Sequence, residues 1–121
     1  MSKKIMIVDD ALFMRKTIRR ILEANGYTDI LEMPDGESAL NAYEQEKPDL
    51  ILLDITMPGM SGLEVLEKIM SMDPSAKIVM CSAVGQEMMI QKAVVMGAAD
   101  FIVKPFKSDE FIRIVKGSLG D

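Results

Sequence analysis

Short apolar runs alternate with longer amphipathic stretches along the chain. Ile5-Met6-Ile7-Val8 is a continuous apolar run that stops at Asp9-Asp10. Leu50-Ile51-Leu52-Leu53 stops at Asp54, Lys77 to Cys81 stops at Ser82, and Phe101-Ile102-Val103 stops at Lys104-Pro105. Thr28 to Met33 is a weaker run of the same kind. Runs this short and apolar on both faces suit strands buried inside a parallel sheet.

The stretches between them carry a helical period. Leu12 to Ala24 spaces Met14, Ile18, Ile21 and Leu22 along one side, and Gly26 follows as a stop. Gly36 to Glu46, with Asp35 at its head, ends before Pro48. Ser61 to Met72 opens on Ser61 with Glu64 three residues later, the signature of a capping box. Glu87 to Met96 ends at Gly97, and Ser108 to about Ser118 comes last. Within Glu87 to Met96 the stripe Met89, Ala93 and Met96 is expected to face the core. Five strand–helix repeats predict an α/β fold, a doubly wound five-stranded parallel sheet with five helices on its two faces. The length, 121 residues, suits one domain, expected over 1–121.

Composition narrows the chemistry. Hydrophobic residues make up 49% and charged residues 27%, so a packed core is expected. Lys and Arg number 14 against 19 Asp and Glu, a net charge of -5 that argues against direct nucleic-acid binding through overall charge. The chain has no histidine, which excludes imidazole mechanisms, and its lone Cys81 reads as a core residue. No apolar run reaches a membrane span or a signal peptide, so a cytoplasmic protein without membrane insertion is expected.

Four of the five runs end in a polar residue able to do chemistry: Asp9-Asp10, Asp54, Ser82 and Lys104. Ligands of open α/β sheets bind beyond the carboxyl ends of the strands, so these residues are expected to converge on one rim. Asp9 and Asp10 taken alone read as helix N-caps. Joined by Asp54 they form a trio of carboxylates that repel unless a cation sits among them, and an oxygen-only donor set suits Mg²⁺. An Asp carboxylate is a nucleophile toward a phosphoryl group. Lys104 counters the acidic cluster and can pair with a phosphoryl oxygen, and Ser82 can donate to one. Pro105 sets the turn that aims Lys104.

Val8-Asp9-Asp10, Asp54 with Met57-Pro58-Gly59 and Gly62, Ser82-Ala83, Gly97-Ala98 and Lys104-Pro105-Phe106 together resemble the receiver domains of two-component response regulators. Asp10-Ala11-Leu12-Phe13-Met14-Arg15 and Cys81-Ser82-Ala83-Val84-Gly85-Gln86 are similar to the stand-alone, CheY-like chemotaxis regulators. The resemblance implies a flavodoxin-like strand order of 2-1-3-4-5. It implies that Asp54 accepts a phosphoryl group from a histidine kinase of the CheA-like type. It makes Asp10, Asp54 and the Thr56 backbone carbonyl ligands of Mg²⁺, with Asp9 acting through water. It makes Lys104 a phosphoryl contact, Ser82 the switch hydroxyl and Phe101 the switch aromatic, without the hydroxyl that many relatives carry there.

Phosphorylation adds charge and acceptor oxygens, so Ser82 moves toward them and Phe101 fills the space it leaves. A lone receiver domain must then signal by binding another protein. Ile90, Val94, Phe101 and Val103 are the expected partner surface, and the target is a downstream protein such as a flagellar motor component or adaptor, with a phosphatase as a further partner. A phosphorelay intermediate, or a regulator of a non-motility output, is the alternative reading. A flavin-binding electron carrier shares the strand order, but Asp9-Asp10 would repel the flavin's phosphate. An Asp-nucleophile phosphatase would commonly carry a second Asp where this chain has Thr56. Phosphoryl turnover is therefore expected only on the protein itself, not on external substrates.

Overall fold

The computed structural model describes residues 3–121. Ten elements alternate along the chain: β1 (Lys4–Val8), α1 (Leu12–Ala24), β2 (Asp29–Met33), α2 (Gly36–Glu46), β3 (Leu50–Asp54), α3 (Gly62–Met72), β4 (Ile78–Ala83), α4 (Glu87–Val95), β5 (Asp100–Lys104) and α5 (Ser108–Leu119). The strands form one parallel sheet in the order β2-β1-β3-β4-β5. β2 is added on one side of β1, and β3, β4 and β5 on the other, so the strand order switches sides between β1 and β3.

The inner strands β1, β3 and β4 are apolar on both faces because both faces are covered. Ile5, Ile7, Leu50, Leu52, Val79 and Cys81 point to one side, where Ile18 and Leu22 of α1 and Phe111 and Val115 of α5 pack on them. Met6, Val8, Ile51, Leu53 and Met80 point to the other, against α2, α3 and Ala93 of α4. Each such side chain taken fully out of water contributes roughly 1.5–3 kcal/mol.

Local signals fix the ends. Asp35 Oδ1 accepts the Ser38 N–H at 2.8 Å, capping α2. Ser61 and Glu64 form the expected capping box at the head of α3. Gly26 adopts φ +88° just past α1, a conformation open to glycine and strained for other residues.

Two expectations need correction. The strand expected to stop at Ser82 continues to Ala83, so Ser82 lies inside β4 and is fully buried. In α4 the core-facing side runs through Ile90, Ala93 and Met96, and Met89 is 42% exposed. Only Ala93 of α4 is fully buried. A nine-residue helix packed through one alanine turns Met89 away from the core, which a spacing rule that treats Met89 and Ala93 alike does not foresee.

Candidate functional site at the carboxyl edge of the sheet

Strand register brings distant residues together. Val8 pairs with Leu53, so Asp9 and Asp54, each one residue on, emerge at the same level of adjacent central strands. Asp54 pairs with Cys81, and Cys81 with Ile102, which puts Ser82 and Lys104 just beyond on the same edge. The rim expected from the sequence is thus assembled from β1, β3, β4 and β5.

Asp9 and Asp54 are buried and Asp10 is exposed. A carboxylate oxygen from each of the three lies within 4.8 Å of the others. Asp9 is not an N-cap of α1, whose N-cap is Ala11 without a side-chain bond. Its Oδ1 instead accepts the Ala11 N–H at 2.9 Å, which aims the second oxygen into the cluster. Arg15 Nη1 donates to the Asp9 carbonyl at 2.7 Å and braces the β1–α1 turn from below.

Lys104 Nζ lies 3.3 Å from Asp54 Oδ1 and 3.7 Å from Asp9 Oδ2. Burial pulls the Lys104 ammonium toward its neutral form, but Asp54 and Asp9 outweigh it and hold the pKa above the ordinary lysine value. Burial pushes the Asp54 carboxyl up, and Asp9 adds to the rise; Lys104 and the Thr56 N–H oppose it without cancelling it. One lysine therefore does not balance the charge gathered here. A divalent cation would, and the donors fit one: oxygen ligands only, with one open to solvent through Asp10. The Lys104–Pro105 peptide is cis.

The loop after Asp54 is drawn tightly against the head of α3. The Gly62 N–H donates to the Ile55 carbonyl at 2.7 Å. A Cβ at Gly62 would collide with the Asp54 carbonyl and lie 2.7 Å from Ile55 Cα, so the close approach requires glycine. The role of Gly62 is to let backbone meet backbone beside Asp54.

Ser82 Oγ is buried and has no hydrogen-bond partner among the described residues. Cys81 is buried, and burial pushes its thiol up to about 12, as befits a core residue. Phe101 is 39% exposed and Val94 51% exposed, with Ile90 half-buried beside them. With Val84 and Val103 they line an apolar groove of ≈ 710 Å³ between α4 and β5. Ile90, Val94, Phe101 and Val103 all lie along this one groove.

Sequence reasoning missed Gln86. Its side chain joins the end of β4 to Thr56, accepting the Ala83 N–H at 2.7 Å and donating to Thr56 Oγ1 at 2.5 Å. A glutamine ahead of a helix carries no periodicity that would mark it.

Known proteins share this arrangement. The family described as the response regulator receiver domain matches residues 5–116. A protein named chemotaxis protein CheY from Listeria monocytogenes is 48% identical over 113 residues, covering 93% of this chain and 95% of that protein. Its namesake from Thermotoga maritima is 45% identical over 113 residues, covering 93% and 94%. Sporulation initiation phosphotransferase F of Bacillus subtilis is 35% identical over 116 residues, covering 96% and 93%. Among solved structures, the receiver domain of NtrX from Brucella abortus superposes with a TM-score of 0.92 at 34% identity, covering 97% of this chain and 98% of that one. With the match running across all five strands and the acidic rim at the edge they share, the chain belongs to the response regulator receiver family, the phosphoacceptors of two-component signalling.

Proposed function

We propose that Asp54 is the phosphoacceptor, taking a phosphoryl group from a phosphohistidine on a CheA-like histidine kinase. The observation that carries this reading is the position of Lys104 Nζ, within 4 Å of both Asp54 and Asp9, beside three carboxylates that share one small space. An Asp54 oxygen forms the O–P bond as the P–N bond breaks, and the imidazole leaves with a proton. Asp10, Asp54 and the Thr56 carbonyl would hold Mg²⁺, with Asp9 contributing through water. When bound, the ion offsets the negative charge of nucleophile and phosphoryl oxygens and draws them together.

Lys104 pairs with a phosphoryl oxygen, and the Ser82 hydroxyl turns to donate to another. Phe101 then moves into the space that Ser82 leaves. Ile90, Val94, Phe101 and Val103 form the surface read by a downstream protein. The protein speeds its own phosphorylation and dephosphorylation and turns over no external substrate as its main task. Residues 1–121 work as one receiver domain in the cytoplasm.

Relatives named chemotaxis protein CheY at 44–48% identity favour an output in chemotaxis, with a flagellar motor protein or adaptor as target and a phosphatase as a further partner. The 35% identical sporulation phosphotransferase supports a second reading, a phosphorelay intermediate. Phosphoryl transfer onward to a second histidine protein would select that reading, and binding to a motor protein the first.

The test is intact mass after incubation with phosphoramidate and Mg²⁺, beside Asp54→Ala. One added phosphoryl group on the wild type and none on Asp54→Ala is the expected result. A folded wild type that gains nothing, or an Asp54→Ala variant that gains equally, removes Asp54 from the role.

A further inference from the structure

We propose that Gln86 is a positioning residue that latches the rim in its unphosphorylated state by occupying the Ala83 N–H, a donor a phosphoryl group on Asp54 would take. The proposal rests on the reading of Asp54 as phosphoacceptor.

The geometry starts from unequal strand lengths. β3 ends at Asp54, opposite Cys81, while β4 runs on through Ser82 and Ala83. The Ile55 N–H donates to the Cys81 carbonyl at 3.0 Å, so Cys81 turns its backbone polar groups toward β3. Backbone direction repeats every second residue of a strand, so the Ala83 N–H turns the same way, past the point where β3 has ended. It faces the loop that follows Asp54. There Gln86 Oε1 accepts it at 2.7 Å, and Gln86 Nε2 is bonded to Thr56 Oγ1, two residues beyond Asp54.

The two ends of one carboxamide thus span the gap between the end of β4 and the loop after Asp54. Gln86 is also the N-cap residue of α4, yet its side chain makes no capping bond there. It reaches back to the rim instead, with Gly85 at φ +97° in the turn between them. A phosphoryl oxygen carries far more negative charge than an amide oxygen and makes the stronger, charge-assisted bond. Once it takes the Ala83 N–H, the Gln86 side chain is released. The first turn of α4 then loses its tie to the Thr56 loop, and the groove that includes Glu87, Ile90 and Val94 is free to change shape. Asp54 and the groove are coupled through this exchange.

The experiment compares wild type with Gln86→Ala by amide hydrogen exchange and by phosphorylation with phosphoramidate and Mg²⁺ followed by mass. Without its acceptor, the Ala83 amide of Gln86→Ala should exchange about tenfold faster, with the Leu52 and Met80 amides unchanged. Its phosphorylation should run about three- to tenfold faster, because no bond has to be broken first. Equal Ala83 exchange in the two proteins, or a variant phosphorylated no faster than wild type, overturns the latch. If Gln86→Ala loses core protection, Thr56→Val, which removes the other anchor of the amide, is judged by the same two criteria. A wild type that takes no phosphoryl group while Ala83 exchange still depends on Gln86 overturns the phosphoacceptor reading and leaves a purely structural clamp. Loss of the exchange difference with phosphorylation intact overturns the latch alone.

Discussion

Ser82 Oγ sits fully buried with no partner among the described residues, and such a hydroxyl has given up hydrogen bonds to water without replacement. Removing it should therefore help the resting protein. Ser82→Ala is expected to raise the stability of the unphosphorylated state by about 1 kcal/mol in urea denaturation. The same variant should lose the phosphorylation-dependent change in the Phe101 environment, read by NMR. A Ser82→Ala protein less stable than wild type would mean that the hydroxyl is satisfied and its burial carries no such cost. Gly62 presents the opposite case, a position where adding one atom is costly. A methyl group there meets the Asp54 carbonyl and the Ile55 backbone, neither of which can rotate away. Gly62→Ala should lose about 3 kcal/mol of stability, and a loss below about 1 kcal/mol would show that the head of α3 shifts freely.

At the scale of elements, the edge strand β2 is tied to α1 by charge as well as by the packing of Ile30. Glu32 accepts from Arg15 Nε at 3.2 Å, Lys16 Nζ at 2.9 Å and Arg19 Nε at 2.6 Å. Burial pushes its carboxyl up, but the hydrogen bonds from Lys16 and Arg19 win and hold it below the ordinary value of 4.5. A carboxyl depressed in the folded state stabilises above its unfolded pKa and stops doing so as pH falls through the folded one. Glu32→Gln should cost about 1 kcal/mol at pH 7, a gap that holds down to about pH 5 and closes below it. A gap that widens in acid would reverse the assignment. This cluster also marks where the sequence was hard to read. β1, β3 and β4 announced themselves as apolar runs because both their faces are covered, and β5 did so although Phe101 and Val103 leave one of its faces partly open. β2 carries Glu32 and was only a weak run, since its place at the edge could not be seen from spacing. The rim was legible for a related reason: a charged residue closing an apolar run must emerge where the strand does. Asp9, Asp54 and Lys104 obeyed that rule. Gln86 and the misjudged Met89 did not, because what α4 touches depends on how the β4–α4 turn folds back, and no period in the chain encodes that turn.

For the whole molecule, the fold holds together a group of charges that would separate if it opened. Asp9 and Asp10 lie in the β1–α1 turn and Asp54 ends β3, more than 40 residues later, and Lys104 ends β5. An unfolded chain cannot reassemble that donor set, so a cation bound there binds the native state alone. Its contribution to stability is then RT ln(1 + [Mg²⁺]/Kd), about 2.7 kcal/mol at a hundredfold excess over Kd. For a domain of this size that corresponds to a rise in Tm of roughly 10 °C. Asp10→Asn gives the opposite result at each step. Losing one of three crowded carboxylates relieves repulsion, so the metal-free variant should melt at or above the metal-free wild type. On the proposal that Asp10 is a direct oxygen ligand, its loss weakens the site, so added Mg²⁺ should raise the variant's Tm far less. Thermal denaturation of both proteins with and without Mg²⁺ reads the crossing directly. If Mg²⁺ raises both melting temperatures equally, the ion does not use Asp10. If EDTA-treated Asp10→Asn melts well below EDTA-treated wild type, the three carboxylates are not in conflict in the resting fold, and the charge imbalance left by Lys104 does not draw the metal.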